Sequence, residues 1–178
     1  MADDPTLGGH ERTMPRAFIA AVRNASPGLA LIELNTAPYV SAPWAFSHNG
    51  FVRGFLDRRD ELIEGVAPER RAAIEGTTDS EVLFAFALGR IDAGASPPDA
   101  LADAVALVGR DDDSKLNFLL TDGDTVWATR WGNSLFTLAS DDEVVVASEP
   151  FDDDDRWREV PDRSIVIATA DTITIGAL

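Results

Sequence analysis

"KLNFLLTDGDTVWATRWG", residues 115–132, sets two apolar runs rich in branched and aromatic residues on either side of Asp122-Gly123. Asp-Gly is a favoured hairpin connection because its glycine accepts the positive φ of a tight turn, so the stretch predicts two antiparallel strands. Two further pairs follow. "SLFTLAS" (134–140) and "EVVVASEP" (143–150) flank Asp141 and Asp142, and "SIVIATADTITIGAL" (164–178) forms the last pair. Six strands in hairpin order predict a mainly antiparallel sheet.

Upstream, the hydrophobic period becomes helical. Asp57 to Glu75 follows it with a break near Pro68, and "TTDSEVLFAFALGRIDAG" (77–94) follows it more strongly. There Thr78 and Glu81 have capping-box spacing, and Val82, Leu83, Phe86, Ala87 and Arg90 recur at helical intervals. Ser96, ahead of Pro97, Pro98 and Asp99, starts another helix that runs to about Val108. Before the helices, "RAFIAAVR" (16–23) and "PWAFSHNG" (43–50) read as short buried strands. A long connection punctuated by Pro27, Gly28, Pro38 and Pro43 joins them. Strands, then helices, then strands predict an α+β architecture.

The 178 residues, 45% hydrophobic, suffice for one core. Asp and Glu number 31 against 15 Lys and Arg, a net charge of −16, which argues against nucleic acid or an anionic membrane as partner. Lys115 is the sole lysine. The first residues, "MADDPTLGGHERTMPR", lack the basic start and apolar run of a secretory signal, and no stretch reaches transmembrane length, so a soluble cytoplasmic protein is expected. The absence of cysteine excludes disulfides, thiolate metal sites and a thiol nucleophile within these residues. No Gly-x-Ser-x-Gly elbow, phosphate loop, dinucleotide fingerprint or His-Glu-x-x-His helix occurs. No metal or other cofactor is expected; the acidic runs 111–113 and 152–155 are either cation sites or, as charge runs usually are, solvated loops.

Three short motifs carry candidate chemistry. In "AFSHNGFVRGF" (45–55), Asn49-Gly50 reads either as a tight turn or as an oxyanion hole made from an asparagine amide and a glycine N–H. Ser47 and His48 make a poor nucleophile–base dyad, because neighbours on a strand face opposite ways. Arg23, in "VRNASPG", is either an exposed strand-end charge or a two-pronged grip on a substrate carboxylate. Asp79, in "TTDSE", either caps its helix or holds an ammonium group. Taken together, the second readings describe a site for an α-amino-acid head group on a cleavable amide.

The order "VRNASPG", "FSHNG", "TTDSE" resembles the class II glutamine amidotransferase domain, an N-terminal-nucleophile hydrolase. "KLNFLLTDG", "ATRWG", "VVVASEPFDDDDRW" and "VPDR" extend the resemblance into its ergothioneine-biosynthesis amidohydrolase branch. The similarity covers residues 17–178 and leaves 1–16 as a divergent polar start. It implies a four-layer αββα sandwich, lacking here its first strands, and hydrolysis of the γ-glutamyl amide of γ-glutamyl-hercynylcysteine sulfoxide. By the same resemblance, Arg23 with Ser26 nearby would hold the glutamyl α-carboxylate and Asp79 the α-ammonium. Asn49 and Gly50 would form the oxyanion hole, and His48 would be structural. The family's nucleophile is a cysteine at position one whose own α-amine serves as base, and this chain begins Met1-Ala2. The expectation is therefore a form inactive by itself: a truncated reading frame, a γ-glutamyl-binding paralogue without turnover, or a split protein. Open sheet edges would then invite self-association or cover by a missing N-terminal segment. A glutaminase domain supplying ammonia to a synthase is the alternative activity. Trp157 or Trp131, with the acids of 152–155, either helps receive the substrate's trimethylammonium or is plain packing and solvated loop.

Overall fold

The computed structural model describes residues 19–21, 35–109, 113–140 and 143–178. In chain order these form β1 (Tyr39–Ser41), β2 (Trp44–Phe51), α1 (Phe55–Glu64), α2 (Pro68–Arg71), α3 (Asp79–Asp92) and α4 (Pro97–Val108). Then come β3 (Lys115–Thr121), β4 (Val126–Arg130), β5 (Phe136–Ala139), β6 (Val144–Ala147), β7 (Arg158–Glu159), β8 (Ser164–Ala168) and β9 (Ile173–Ala177). The protein is α+β, and every strand pairing described is antiparallel.

The three expected hairpins form, but they separate into two sheets. One has the order β1-β2-β3-β4-β8-β9 and the other β6-β5-β7. Alternation along the strands explains the division, since successive side chains face opposite ways. Phe46 on β2 and Leu116, Phe118 and Leu120 on β3 point into a core shared with Val82, Leu83 and Leu88 of α3 and Leu101 and Val105 of α4. Phe46 lies between Phe84, stacked 5.2 Å away, and Phe118 at 5.5 Å. Aromatic contacts of this kind add about 1 kcal/mol to area burial. The opposite face carries Ala128, Val166 and Ala168 against Leu135 and Val160, with Leu119, Val144 and Val146 around them. Helices, large sheet and small sheet are thus three of the four layers in an αββα sandwich.

The helix starts follow the expected chemistry with one difference. Thr78 caps α3, its hydroxyl accepting from Glu81 N–H at 3.2 Å, and Ser96 caps α4 by accepting from Asp99 N–H. The Glu81 carboxylate does not close the box on Thr78. It turns to the N–H groups of Glu75 and Gly76 at 2.8 and 2.7 Å, pinning the approach to the helix. Asn35, buried at 1% exposure, accepts from Thr77 N–H, and the Tyr39 hydroxyl meets that of Thr78 at 2.7 Å. The start of α3 is therefore held from three sides.

Other departures are local. β1 lies within the expected loop, bracketed by Pro38 and Pro43, and β7 arises in the segment after the 152–155 acids. Both are too short to show periodicity and exist through their partners. The expected strand over 16–23 falls mostly outside the described residues. Its described positions, 19–21, are not in a strand.

Candidate functional site

Strand β2 pairs with β3 in a register that sets Asn49 opposite Asn117 and Gly50 opposite Leu116. Antiparallel pairs alternate between hydrogen-bonded and open, and β3 settles which kind Gly50 belongs to. Leu116 gives its N–H to the Trp131 carbonyl at 2.9 Å, and its own carbonyl accepts from the Thr129 hydroxyl at 2.6 Å. Both Leu116 groups therefore point toward β4, and the Gly50 N–H points the other way, out of the β2–β3 ladder. On that outer side β1 pairs only with Trp44, Ala45 and Phe46. Past Phe46 the edge of β2 has no strand neighbour among the described residues.

The start of α3 fills part of this edge. Val52 N–H donates to Asp79 Oδ2 at 2.7 Å, and Ser80 N–H donates to Asp79 Oδ1 at 2.7 Å. Asp79 is the first helical residue, not the cap, since Thr78 takes that task. Its carboxylate is 14% exposed, and a carboxylate has more acceptor sites than these two bonds use. Gly50 and Val52 are two residues apart on one strand edge, so their N–H groups point the same way about 7 Å apart. A backbone donor and a carboxylate thus share one open edge.

Asn49 faces the opposite side of the sheet and is exposed. Asn133, in the turn after β4, donates from Nδ2 to the Asn49 carbonyl at 3.1 Å and to Asn49 Oδ1 at 3.4 Å. With Oδ1 anchored, the Asn49 NH₂ is the outward end of the amide. The turn is itself held by Asn117, 3% exposed. Asn117 accepts from Trp131 N–H at 2.8 Å and donates to the Ser134 carbonyl at 2.9 Å.

His48 lies on the helix face, its ring edge-on to Phe118 at 5.1 Å. Its Nε2 meets the Lys115 carbonyl at 2.8 Å and its Nδ1 meets the Ser80 hydroxyl at 3.1 Å. Ser47, on the opposite face, pairs in register with Leu119, so the two do not form a dyad.

Among the expected site residues, Gly50 and Asp79 lie along one edge of β2 and Asn49 faces the opposite side of the sheet, while Arg23 and Ser26 lie outside the described residues. Ser80, Asn117 and Asn133 were not anticipated. Asn117 had a signal, a lone amide inside the apolar run "KLNFLLT". Trp131 is a correction: it is 4% exposed, and the Arg163 guanidinium carbon lies 5.0 Å over its ring, so that face already has a cation. Trp157 is half-buried, edge-on to Phe151 at 5.1 Å, with its indole N–H on Asp152 Oδ1 at 2.8 Å. Within the acid run, Asp154 grips Arg156 at 2.6 Å. Among the described residues no three His, Cys, Asp or Glu side chains cluster as metal ligands, and no helix is long and apolar enough to cross a membrane.

Residues 12–140 match the family described as glutamine amidotransferases class-II. The chain is 39% identical over 177 residues to the γ-glutamyl-hercynylcysteine sulfoxide hydrolase of Mycobacterium tuberculosis, covering 98% of this chain and 65% of the relative. It is 40% identical over 152 residues to the enzyme of the same name from Mycolicibacterium smegmatis, covering 85% of this chain and 60% of that one. A glutamine aminotransferase class-II domain protein from Silicibacter pomeroyi superposes with a TM-score of 0.69 at 28% identity, over 82% of this chain and 72% of the other. The chain belongs to the class II glutamine amidotransferase family. It spans about two thirds or less of the length of these curated relatives.

Proposed function

We propose that this chain recognises the γ-glutamyl group of an amide and forms part of an amidohydrolase of ergothioneine biosynthesis. The substrate is γ-glutamyl-hercynylcysteine sulfoxide, which water converts to glutamate and hercynylcysteine sulfoxide. The observation that carries the reading is the shared edge of β2, where the outward Gly50 N–H stands about two residue rises from the Val52 N–H that the Asp79 carboxylate accepts. That span suits a glutamyl chain bound by its α-ammonium at one end and its amide carbonyl at the other. The names of the relatives supply the substrate.

In this scheme Asp79 holds the α-ammonium, Arg23 with Ser26 holds the α-carboxylate, and the Gly50 N–H with the Asn49 NH₂ receives the oxyanion. Donors so placed are worth about 3 kcal/mol each in barrier height when the site excludes water. The thiol of the family scheme is not within these 178 residues, so the chain by itself binds without efficient turnover. Trp157, with Phe151 and Asp152, takes the trimethylammonium, because an aromatic face beside a carboxylate attracts a bulky cation.

Titration calorimetry of the 178-residue chain tests the reading: L-glutamate should bind, and a γ-glutamyl amide should bind without glutamate release. Failure to bind L-glutamate overturns the site, and turnover overturns the claim that the chain lacks a nucleophile. Tighter binding of L-glutamine than of the full conjugate would favour an ammonia-supplying glutaminase. The reading also takes the reaction to be cytoplasmic. It leaves the open edge near β1 to a second copy or a further segment, which sedimentation with and without the neighbouring sequence distinguishes.

A further inference from the structure

The His48 side chain is fully buried, at 0% exposure, on the strand between the two halves of the site. Its neighbours fix the Nε2 proton. The Lys115 carbonyl at 2.8 Å from Nε2 can only accept, so Nε2 carries a hydrogen; Nδ1 lies 3.1 Å from the Ser80 hydroxyl and 3.9 Å from Asp79 Oδ1, and in the Nε2–H tautomer it keeps its lone pair. Near Nδ1 stands the Ser80 hydroxyl, whose single proton has two acceptors within reach: His48 Nδ1 at 3.1 Å and Asp79 Oδ1 at 3.2 Å.

Burial decides between them. An unsatisfied nitrogen in a fully buried ring bears the whole desolvation cost, whereas the Asp79 carboxylate is partly exposed and has water to accept from. The hydroxyl therefore turns to His48. Asp79 Oδ1 keeps the Ser80 N–H and retains a lone pair for a cation. On its other side the imidazole holds the Lys115 carbonyl, the atom that a β-carbon on Gly50 would strike, and Nε2 would itself lie 2.8 Å from that β-carbon.

We infer that His48 is a positioning residue: as the Nε2–H tautomer it draws the Ser80 proton away from Asp79, which keeps the carboxylate open to an ammonium, and it locks the Lys115 carbonyl beside Gly50. The inference rests on the γ-glutamyl reading for what Asp79 binds, but the proton assignment does not.

Two measurements on the full 178-residue chain separate these layers. Long-range ¹H–¹⁵N correlation of the histidine rings at neutral pH should show His48 neutral and protonated at Nε2; an Nδ1–H or doubly protonated ring overturns the inference. Calorimetry with L-glutamate and with glutarate, which lacks the ammonium, then reads the effect on Asp79. His48→Gln can still donate to Lys115 but offers Ser80 no acceptor, so glutamate affinity should fall about tenfold while glutarate is unchanged within about twofold. His48→Asn places a carbonyl oxygen near Nδ1 and should lie closer to wild type for glutamate. Equal losses for both ligands, or equal glutamate losses for both variants, overturn it. If the wild type binds neither ligand, the γ-glutamyl reading fails by itself. The Val52 amide resonance then decides the coupling: it should shift in His48→Gln as the Ser80 hydroxyl moves onto Asp79, and an unmoved resonance overturns the inference. Should both variants fail to fold, the tautomer of the wild-type ring still decides between the two outcomes.

Discussion

Gly50 and Lys115 approach so closely across β2 and β3 that a β-carbon on Gly50 would overlap the Lys115 carbonyl oxygen. The obstacle is backbone held within a sheet, so it cannot swing aside as a flexible side chain would. Glycine at this position is therefore a steric requirement of the strand pairing, and with it comes an N–H that no side chain shields.

Gly50→Ala should force β2 away from β3 and cost about 3 kcal/mol, the upper range for overpacking. Urea unfolding monitored by tryptophan fluorescence checks this. A loss below about 1 kcal/mol would show that the strands can part cheaply.

Asp79→Asn keeps the shape of the side chain and removes its charge. Glutamate affinity should drop at least tenfold, in line with about 2 kcal/mol for a charge-assisted contact, while glutarate binding is spared. The fold should persist, because Thr78 carries the cap of α3. Calorimetry with both ligands and a melting curve read the two parts separately.

Thr78→Ala removes the acceptor for Glu81 N–H and the partner of the Tyr39 hydroxyl. Loss of an N-cap costs about 1–2 kcal/mol, measurable by urea denaturation. Because the same turn carries Asp79, glutamate affinity should fall as well, and an unaffected affinity would show that Asp79 is held without its cap.

Asn117→Leu leaves the Trp131 N–H and the Ser134 carbonyl without their buried partner. A cost of about 2–3 kcal/mol is expected from stranded backbone groups. Faster hydrogen exchange at the Trp131 amide should accompany it, since the turn that supports Asn49 loses its anchor. Unchanged exchange there would remove Asn117 from this role.

The Arg156 side chain, hydrogen-bonding to Asp154, holds that carboxyl at about 2, below its ordinary 3.8. With the folded value depressed, the contribution is present above the ordinary carboxylate value and is lost as pH falls from about 4 to about 2. Arg156→Gln should return the Asp154 titration toward 3.8, read by carboxyl ¹³C shifts. The turn beside Trp157 therefore stays anionic across the neutral range. A titration unmoved by the substitution would break the assignment of cause.

Elements that repeat long enough to bury one face can be read from local residues. α3 and α4 were legible from Thr78, Ser96 and the helical spacing behind them, and the Asp122-Gly123 hairpin from its turn residues. These signals are local, so they survive without knowledge of the fold. The residue types were legible too: Asn49, Gly50 and Asp79 stood out, although Asp79 taken alone reads more readily as a cap, a task that Thr78 takes. Only the tertiary contacts set where they stand relative to one another. They divided the hairpins between two sheets, turned the Gly50 N–H outward by committing Leu116 to Trp131 and Thr129, and brought Asp79 to Val52 across 27 positions. Hydrogen bonds of that range and the direction of a backbone N–H depend on strand register. Register is set by which faces are buried once all the layers meet.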